Sequence, residues 1–478
     1  MMAAAWTSGR NVPLARQLAR SALAVTLGDL PPDAIAKAKD CLLDFLACAF
    51  EARNLPWSRQ AVATARAVEG GANVIAGGAT ASPADAAFAN ATLGHGLVRE
   101  DMHAASICHH GVVIWPTLLA LAQRTPSSGA ALLVAAVVGY EAGGRIGRAL
   151  LTADLARLYR PTGLVSPLAA ALAGACLLRL DDGAATAALS IAANTSCGLN
   201  QWPHTGGSEM YFHPAFAARN AVTAVELAEL GAYASENILE GEAGLFAAFR
   251  RQPAPDGIAL FADGQPEILS VYNKPVPACN FAQTACQAAL HVAGRLGDDL
   301  ANARAILVRV PAAAMRYPGC DFAGPYQRAL QAKMSIQFGV AAALQRKAIA
   351  EENYQRLADA GILRLISLTS LEEDEAFTQR FPATQGAEVR VSLADGSLVM
   401  DRLDDVVPAT TDQIRARFRA AAAAVVGPAR AKEIEACVDG LEAETDAGRV
   451  AALCATAAAA EAEETEGRPQ KRAGRSGA

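Results

Sequence analysis

The chain is poor in histidine, in aromatic residues and in any excess of one charge. Aromatic residues make up 5% of the 478 residues, and only seven residues are histidines. The 42 basic and 48 acidic residues are mixed along the chain and give a net charge of −6. Because no basic stripe is available for phosphate backbones, we expect no nucleic-acid partner.

The chain also lacks any Cys-x-x-Cys pair. Its ten cysteines are scattered, and most lie in apolar runs such as residues 41–43 and 174–177. This distribution is typical of buried, reduced thiols in a cytoplasmic protein and does not fit a disulfide framework.

Long hydrophobic runs are missing as well. The most apolar stretches, residues 112–122 and 130–138, are too short to span a bilayer. Pro116 interrupts the first stretch, and Gly139 follows the second. The acid-free segment 1–27 has the composition of a transit peptide, but an ordinary first helix around residues 14–24 is the favoured interpretation. We therefore expect a soluble, cytoplasmic protein that has no membrane partner.

Alanine and other apolar residues are plentiful, with 52% of the chain hydrophobic. Alanine favours helices and lets them pack closely, and a chain of this length is expected to form two domains. A proline and an acid at Pro32 and Asp33 predict the start of a long helix. Further helical patterns, apolar nearly all round as in helices buried among helices, cover residues 84–91, 113–122, 129–148, 166–178, 184–194 and 215–230.

The pattern changes after residue 266. Residues 305–311 predict a strand, and residues 386–393 and 397–402 predict a hairpin around Asp395-Gly396. Predicted helices at 281–296 and 329–344 lie between these strands, and helical patterns return at 412–425 and 429–442. The sequence thus predicts a mainly α fold with a helical part at 1–266, an α+β domain at 267–400, a helical return at 401–458 and a disordered tail at 459–478.

Four of the seven histidines fall between residues 95 and 110, where Glu100 and Asp101 also lie. Imidazole changes charge near neutral pH, so this cluster predicts acid–base chemistry. The spacing matches no strong metal motif such as His-Glu-x-x-His, and we therefore predict no metal. For His95, capping or packing at a helix end is an alternative role.

Three later segments could bind a ligand. Arg160 in segment 158–163 would either hold a substrate carboxylate or form a surface salt bridge. The glycines of segment 205–213 would allow close approach to a ligand or simply form a flexible loop. Prolines stiffen segment 273–279, which presents Lys274; Cys279 there could be a nucleophile but has no histidine nearby in sequence.

Taken in order, several short motifs resemble the MmgE/PrpD family over roughly residues 13–442. That family includes 2-methylcitrate dehydratase, cis-aconitate decarboxylase and iminodisuccinate epimerase. The resemblance implies a large all-helical domain built from both chain ends, a smaller inserted α+β lid and a homodimer. The motifs that carry it are Leu43-Asp44, residues 90–101, 139–141, 161–163 and 217–220, Lys274-Pro275-x-Pro277-x-Cys279, and residues 333–335.

The chain departs from the family pattern at positions that are usually polar or charged. The family has an aspartate at Val98, histidines at Arg160 and Gln283, a lysine at Met210 and a tyrosine at Phe338. A pocket with fewer cations offsets less negative charge, so we expect a substrate that is less anionic or more apolar than citrate-like acids.

The resemblance and the histidine cluster together predict a cofactor-independent lyase that dehydrates or decarboxylates a small organic acid. Two alternatives stay open: an isomerase, epimerase or cyclase of a specialised biosynthetic pathway, or a catalytically inactive binding or assembly subunit. In the lyase hypothesis His109 is the general base or acid, His103 and Asp101 support it, Arg160 and Lys274 bind a carboxylate, and Tyr159 or Tyr211 donates a proton.

Overall fold

The structure is a computed structural model, and it describes residues 12–456. The predicted tail at 459–478 and the first eleven residues lie outside the described residues. The described fold is mainly α, with 59% helix and 9% strand, as the sequence predicts.

The largest hydrophobic core of the described residues is built mainly from helices in the first half of the chain. Proline occupies the first helical position where its missing N–H costs nothing, as at Pro32, Pro83 and Pro161. The helices of this part are α1 (Leu14–Leu23), α2 (Pro32–Ala52), α3 (Pro56–Thr64), α4 (Pro83–His95), α5 (Gly111–Arg124), α6 (Gly129–Leu150), α7 (Ala153–Leu158), α8 (Pro161–Leu177), α9 (Asp182–Ala193), α10 (Trp202–Thr205), α11 (Glu209–Glu229) and α12 (Leu245–Arg250).

The second core belongs mainly to residues 276–403. A four-stranded sheet has the order β6-β5-β7-β8, in which β5 runs parallel to β6 and antiparallel to β7. Its strands are β5 (Ala303–Val310), β6 (Thr369–Glu373), β7 (Ala387–Leu393) and β8 (Leu398–Leu403). The accompanying helices are α13 (Gln283–Leu296), α14 (Ala312–Arg316), α15 (Ala329–Met334), α16 (Ile336–Arg346), α17 (Ala360–Ser367) and α18 (Glu375–Arg380).

The end of the described chain returns to the first core. Ile414 and Phe418 are buried there, and α19 packs against α2. The returning helices are α19 (Thr411–Val426), α20 (Pro428–Asp439) and α21 (Gly448–Leu453). The domain boundaries at 266/267 and 400/401 stay predictions.

Two short strand pairs complete the fold. The first joins β1 (Ala67–Asn73) to β2 (Thr80–Ala81), and the second joins β3 (Met102–His103) to β4 (Val271–Tyr272). The second pair matters for function because it ties the histidine-rich segment to the segment that carries Lys274.

Two predicted helices need correction. The helix predicted at 329–344 is two helices, because Ser335 ends α15 and its hydroxyl caps α16 by accepting from the Phe338 N–H at 2.9 Å. The helix predicted at 429–442 ends at Asp439, and a single 3₁₀ turn follows at Leu441–Ala443.

Within residues 12–456, α6 is the one helix that is long and apolar enough to cross a bilayer by length and composition. However, 78% of its apolar window is buried inside the fold, as in a core helix. None of the cysteines forms a disulfide, as predicted; Cys176 is partly buried, Cys197 is exposed and the others are buried.

Candidate active site

A small cavity, here called the inner pocket, lies where the histidine-rich segment meets the second core. Its volume is about 30 Å³, room for on the order of two water molecules. Its walls come from both parts of the chain: Val98, Met102, Ile107, His109, Arg160, Pro161, Thr162, Trp202, Met210, Cys279, Asn280, Phe281, Tyr317 and Met334.

His109 is held in one orientation beside this pocket. Its Nδ1 lies 3.0 Å from the Asp101 carbonyl oxygen and 3.0 Å from Glu100 Oε1, so Nδ1 carries the proton and donates to these acceptors. The backbone N–H of His109 donates to the Thr162 hydroxyl at 3.1 Å. Among residues 12–456 no group hydrogen-bonds Nε2, which is left with its lone pair free to accept a proton.

A second histidine shares the same carboxylate. His95, the last residue of α4, donates from Nδ1 to Glu100 Oε1, and its Nε2 accepts from Arg160 Nη2 at 2.6 Å. His95 therefore packs at a helix end, which is the alternative role that the sequence suggests for it, and it also bridges Glu100 to Arg160.

Burial and charge set the protonation states of this cluster. Burial lowers the pKa of His109 and of His95, even though Glu100 favours the charged rings. Burial alone would raise the pKa of Glu100, but the two adjoining imidazoles outweigh it and hold that pKa well below its usual range. At neutral pH the cluster thus contains an ionised Glu100 and two neutral imidazoles.

Arg160 is the cation of the inner pocket. It is buried, with 5% of its surface exposed, and forms no ion pair with a carboxylate of residues 12–456. Its guanidinium lies 5.3 Å from the centre of the Trp202 ring, and its Nε has no hydrogen-bond partner in the described part of the chain. The surface salt bridge considered from the sequence is therefore wrong, because a buried arginine without a counter-ion is suited to binding an anion.

Two buried lysines stabilise the turn after α4 from outside the pocket. Lys274 Nζ donates to the Val98 carbonyl, and Lys333 Nζ donates to the Gly96 carbonyl at 3.3 Å while pairing with Glu351 at 2.7 Å. Lys274 does not line the inner pocket; it lies behind Val98, where its charge still acts on the pocket. Burial lowers the pKa of Lys274 to about 8.

The backbone is strained at two positions in the wall of the inner pocket, one of them in the turn that these lysines contact. Val98 has φ +57° and Ile107 has φ +51°, a left-handed conformation that is unusual for β-branched residues. Both residues line the inner pocket. Such conformations cost about 1–3 kcal/mol each and tend to occur at functional sites, where the surrounding structure enforces them.

The side chains of Asp101 and His103 do not hydrogen-bond the His109 ring that they were expected to support. The Asp101 carboxylate accepts from the Gly111 N–H at 3.3 Å and from the Tyr140 hydroxyl, so only its backbone carbonyl reaches His109. Burial raises the pKa of Asp101 to about 7. His103 belongs to another network, with Ser106 and Glu267 each at 2.7 Å, and makes no contact with His109.

The two tyrosines suggested as proton donors lie outside the inner pocket lining. Tyr159 packs edge-on against Phe249, and Tyr211 stacks on Trp57 at 3.9 Å between ring centres. Tyr317 lines the pocket instead, and burial raises its pKa to about 12, so that it keeps its proton at neutral pH.

The other departures from the family pattern fall into two groups. Met210 lines the pocket, with its sulfur 3.1 Å from His95 Nε2. Gln283 and Phe338 are structural: the Gln283 amide hydrogen-bonds the backbone of residues 276–279, and Phe338 packs between Tyr326 and Tyr354. The proline-rich loop and the second core therefore remain supported without the family residues.

Three side chains offer atoms with the spacing of metal ligands. Donor atoms of His95, Glu100 and His109 lie within 4.8 Å of one another. Arg160 next to His95 Nε2 opposes a cation at this position because like charges repel in a buried site. A metal-free site stays our prediction.

Sequence reasoning missed three members of the site. His95 and Glu100 belong to the histidine cluster but were not assigned to the site. The contact of His95 with Arg160, which is 65 residues away along the chain, depends on folding. Tyr317 stands alone in an Arg-Tyr-Pro-Gly segment and carries no sequence signal.

Comparison with known proteins agrees with this architecture. Residues 16–257 match the MmgE/PrpD N-terminal domain, and residues 276–443 match the MmgE/PrpD C-terminal domain. The chain belongs to the MmgE/PrpD family.

Relatives with assigned names lie at low identity but over nearly full length. The chain is 26% identical to a cis-aconitate decarboxylase of Aspergillus terreus, over 87% of this chain and 91% of that protein. It is 28% identical to the cis-aconitate decarboxylase-like protein oryM of Aspergillus oryzae, over 89% and 94%. Family and relatives support a lyase-type function on an organic acid.

Proposed function

We propose that this protein is a cofactor-independent lyase that removes water or carbon dioxide from an organic acid by proton transfer next to a carboxylate. The observation that carries the proposal is the His109 ring, fixed through Nδ1 by Glu100 and the Asp101 carbonyl, beside the Arg160 guanidinium, which has no carboxylate partner in the described part of the chain. Such a pair provides a general base and an anion-binding group in one buried site.

Each group has a defined task in this proposal. Arg160 binds the substrate carboxylate, and its charge stabilises the electrons that build up on that carboxylate when the neighbouring C–H or C–C bond breaks. In dehydration, Nε2 of neutral His109 takes the proton and hydroxide leaves from the next carbon. In decarboxylation, a second carboxyl group of the substrate leaves as carbon dioxide while the carboxylate on Arg160 takes up the electrons, and the Tyr317 hydroxyl gives a proton to the carbon left behind.

The orienting role belongs to Glu100 in place of the predicted His103 and Asp101 side chains. Glu100 accepts from both imidazoles, whereas His103 and the Asp101 carboxylate make their contacts elsewhere. A carboxylate at this position fixes the tautomer of His109 and stabilises its protonated form once it has taken a proton.

Epimerisation shares the same proton abstraction and is the second candidate reaction. An inactive binding subunit is the less favoured alternative, because an intact His109–Glu100 pair beside an arginine without a counter-ion is what a catalytic site needs.

A homodimer is proposed on the family resemblance. The large exposed apolar side chains of Leu158, Leu199 and Phe216, each more than half exposed, support it. Sedimentation velocity tests it: a sedimentation coefficient matching twice the 49.4 kDa chain mass is expected, and a monomer at micromolar concentration would contradict it.

The lyase is tested by proton NMR in D₂O with a panel of acids. The panel contains cis-aconitate, 2-methylcitrate, iminodisuccinate and the pair 3-hydroxyoctanoate and 2-octenoate, which differ by one water. We expect deuterium uptake next to a carboxylate, or a new product, from at least one acid. If no acid of the panel takes up deuterium or gives a product, the lyase proposal is contradicted and the inactive subunit is favoured.

A further inference from the structure

A second, much larger cavity lies against the inner pocket. This outer chamber has a volume of about 550 Å³ and shares Ile107, Phe281 and Tyr317 with the inner pocket. Part of its wall comes from residues 104–107 and 151–157, and part from residues 312–317 and 378–382. The two cavities are therefore neighbours that have these three side chains in common.

The volumes of the two cavities indicate that a ligand would occupy both of them. The inner pocket, at about 30 Å³, holds on the order of two waters, whereas pockets for whole small molecules measure about 300–1,000 Å³. Only one end of a substrate fits beside His109 and Arg160. The outer chamber, at about 550 Å³, is large enough for the remainder.

The charges around the inner pocket match a single carboxylate. Arg160 and Lys274 are buried cations, and ionised Glu100 balances one of them. Lys333 is already neutralised by Glu351. At most one positive charge is left over, because Asp101 is partly ionised at its pKa of about 7, and a buried charge without a counter-ion is costly. A monocarboxylate neutralises it, whereas a tricarboxylate would bring an excess of negative charge.

The outer chamber is apolar along most of its wall. Ile107, Leu151, Phe281 and Phe381 face it together with several alanines. Two exposed arginines, Arg157 and Arg316, line the chamber together with one carboxylate, that of Asp154, and neither arginine forms an ion pair within residues 12–456. The net positive charge of these three side chains favours the entry of an anion into a chamber whose walls favour hydrocarbon.

We propose that the substrate is a monocarboxylic acid with an apolar chain, its carboxylate end in the inner pocket and its chain in the outer chamber. This inference rests on the proposed function, because it takes the inner pocket as the place where the acid reacts. A monocarboxylate has no second carboxyl group to lose, so it selects the loss of water from the two lyase reactions.

Binding of unreactive straight-chain acids tests the inference without turnover. Isothermal titration calorimetry with propanoate, hexanoate and octanoate is expected to show affinity rising with chain length. Each buried methylene increases affinity by about fourfold, so octanoate, which is longer by five methylenes, should bind up to about a thousandfold more tightly than propanoate.

A substitution on the chamber wall tests the location of the chain. Ala153→Phe places an aromatic ring on the outer chamber wall and should abolish the gain with chain length while leaving propanoate binding unchanged. Ala130→Phe makes the same change in a separate cavity and should behave like the unmodified protein. Thermal denaturation checks that each variant is folded, and Ala313→Phe replaces Ala153→Phe if the latter is not.

The outcomes separate the two proposals. Affinity independent of chain length, or equal effects of Ala153→Phe and Ala130→Phe, would overturn the inference and leave the proposed function standing. No binding by any of the three acids would overturn the carboxylate site itself, and with it both the inference and the role given to Arg160.

Discussion

At the scale of single residues, the chemistry of the site depends on which ring nitrogen of His109 carries the proton. The Nδ1 proton of His109 faces Glu100 and the Asp101 carbonyl, which leaves Nε2 basic. Because burial lowers the pKa of this ring, His109 is neutral at pH 7 and ready to accept a proton. Glu100 partly opposes that shift, so the carboxylate tunes the base as well as orienting it.

Glu100→Gln tests this coupling. We expect kcat to fall about 100-fold, because the amide does not stabilise the imidazolium that forms during proton transfer. The same change should lower the pKa of His109 further, so the acidic limb of the kcat/KM profile should move to lower pH. Glu51→Gln, which removes the partner of Arg99 outside the pocket, is the control. A profile unchanged in position would show that Glu100 does not act on the base.

Lys274 gives a second pH dependence, at the alkaline end. Its pKa is about 8 in the folded protein, so its charge is present below pH 8 and is lost as the pH rises through that value. KM for an anionic substrate should therefore increase above pH 8. Lys274→Met should raise KM at pH 7 and remove this limb, while Lys347→Met, at an exposed lysine, should change neither. A KM that stays constant to pH 9.5 in the unmodified protein would contradict the assignment.

At the scale of elements, close helix packing positions the histidine segment. Gly143 in α6 lies against the ring of His110, and a Cβ at this position would come within 2.7 Å of that ring. His110 is fully buried and hydrogen-bonded to Ser106 and Ser166, so it has little room to move. The segment that carries His109 thus packs directly against the backbone of α6 at Gly143, where no side chain intervenes.

Two glycine substitutions distinguish packing from helix propensity. Gly143→Ala should lower the free energy of unfolding by about 1–3 kcal/mol, because the added methyl group overpacks against His110. Gly294→Ala, in α13, meets no atom within 4 Å and should raise it by up to about 1 kcal/mol. Urea unfolding of both variants measures the difference. Equal effects of the same sign would show that the contact with His110 is unimportant.

At the scale of the whole molecule, the helices and strands that have a periodic hydrophobic pattern could be predicted from the sequence. The helix predicted at 184–194 spans Asp182–Ala193, and the hairpin around Asp395-Gly396 forms with Gly396 at φ +85°. The break at Ser335 was missed because the apolar pattern continues through both α15 and α16.

Only part of the candidate site could be predicted from the sequence, because its contacts join segments that are distant along the chain. The clustering of histidines pointed to His109, but the pairing of β3 with β4 directs His103 towards Glu267. Nothing in the local sequence shows that Arg160 would reach His95 or that Tyr317 would line the same pocket.

The most direct test of the account is the rate of deuterium uptake from D₂O, followed by NMR with whichever acid of the panel reacts fastest. His109→Gln is compared with the unmodified protein and with His291→Gln, the same substitution at a half-exposed histidine that pairs with Asp401. We predict that His109→Gln loses uptake by at least about 100-fold and that His291→Gln retains it. Full uptake in His109→Gln would contradict proton transfer by this residue.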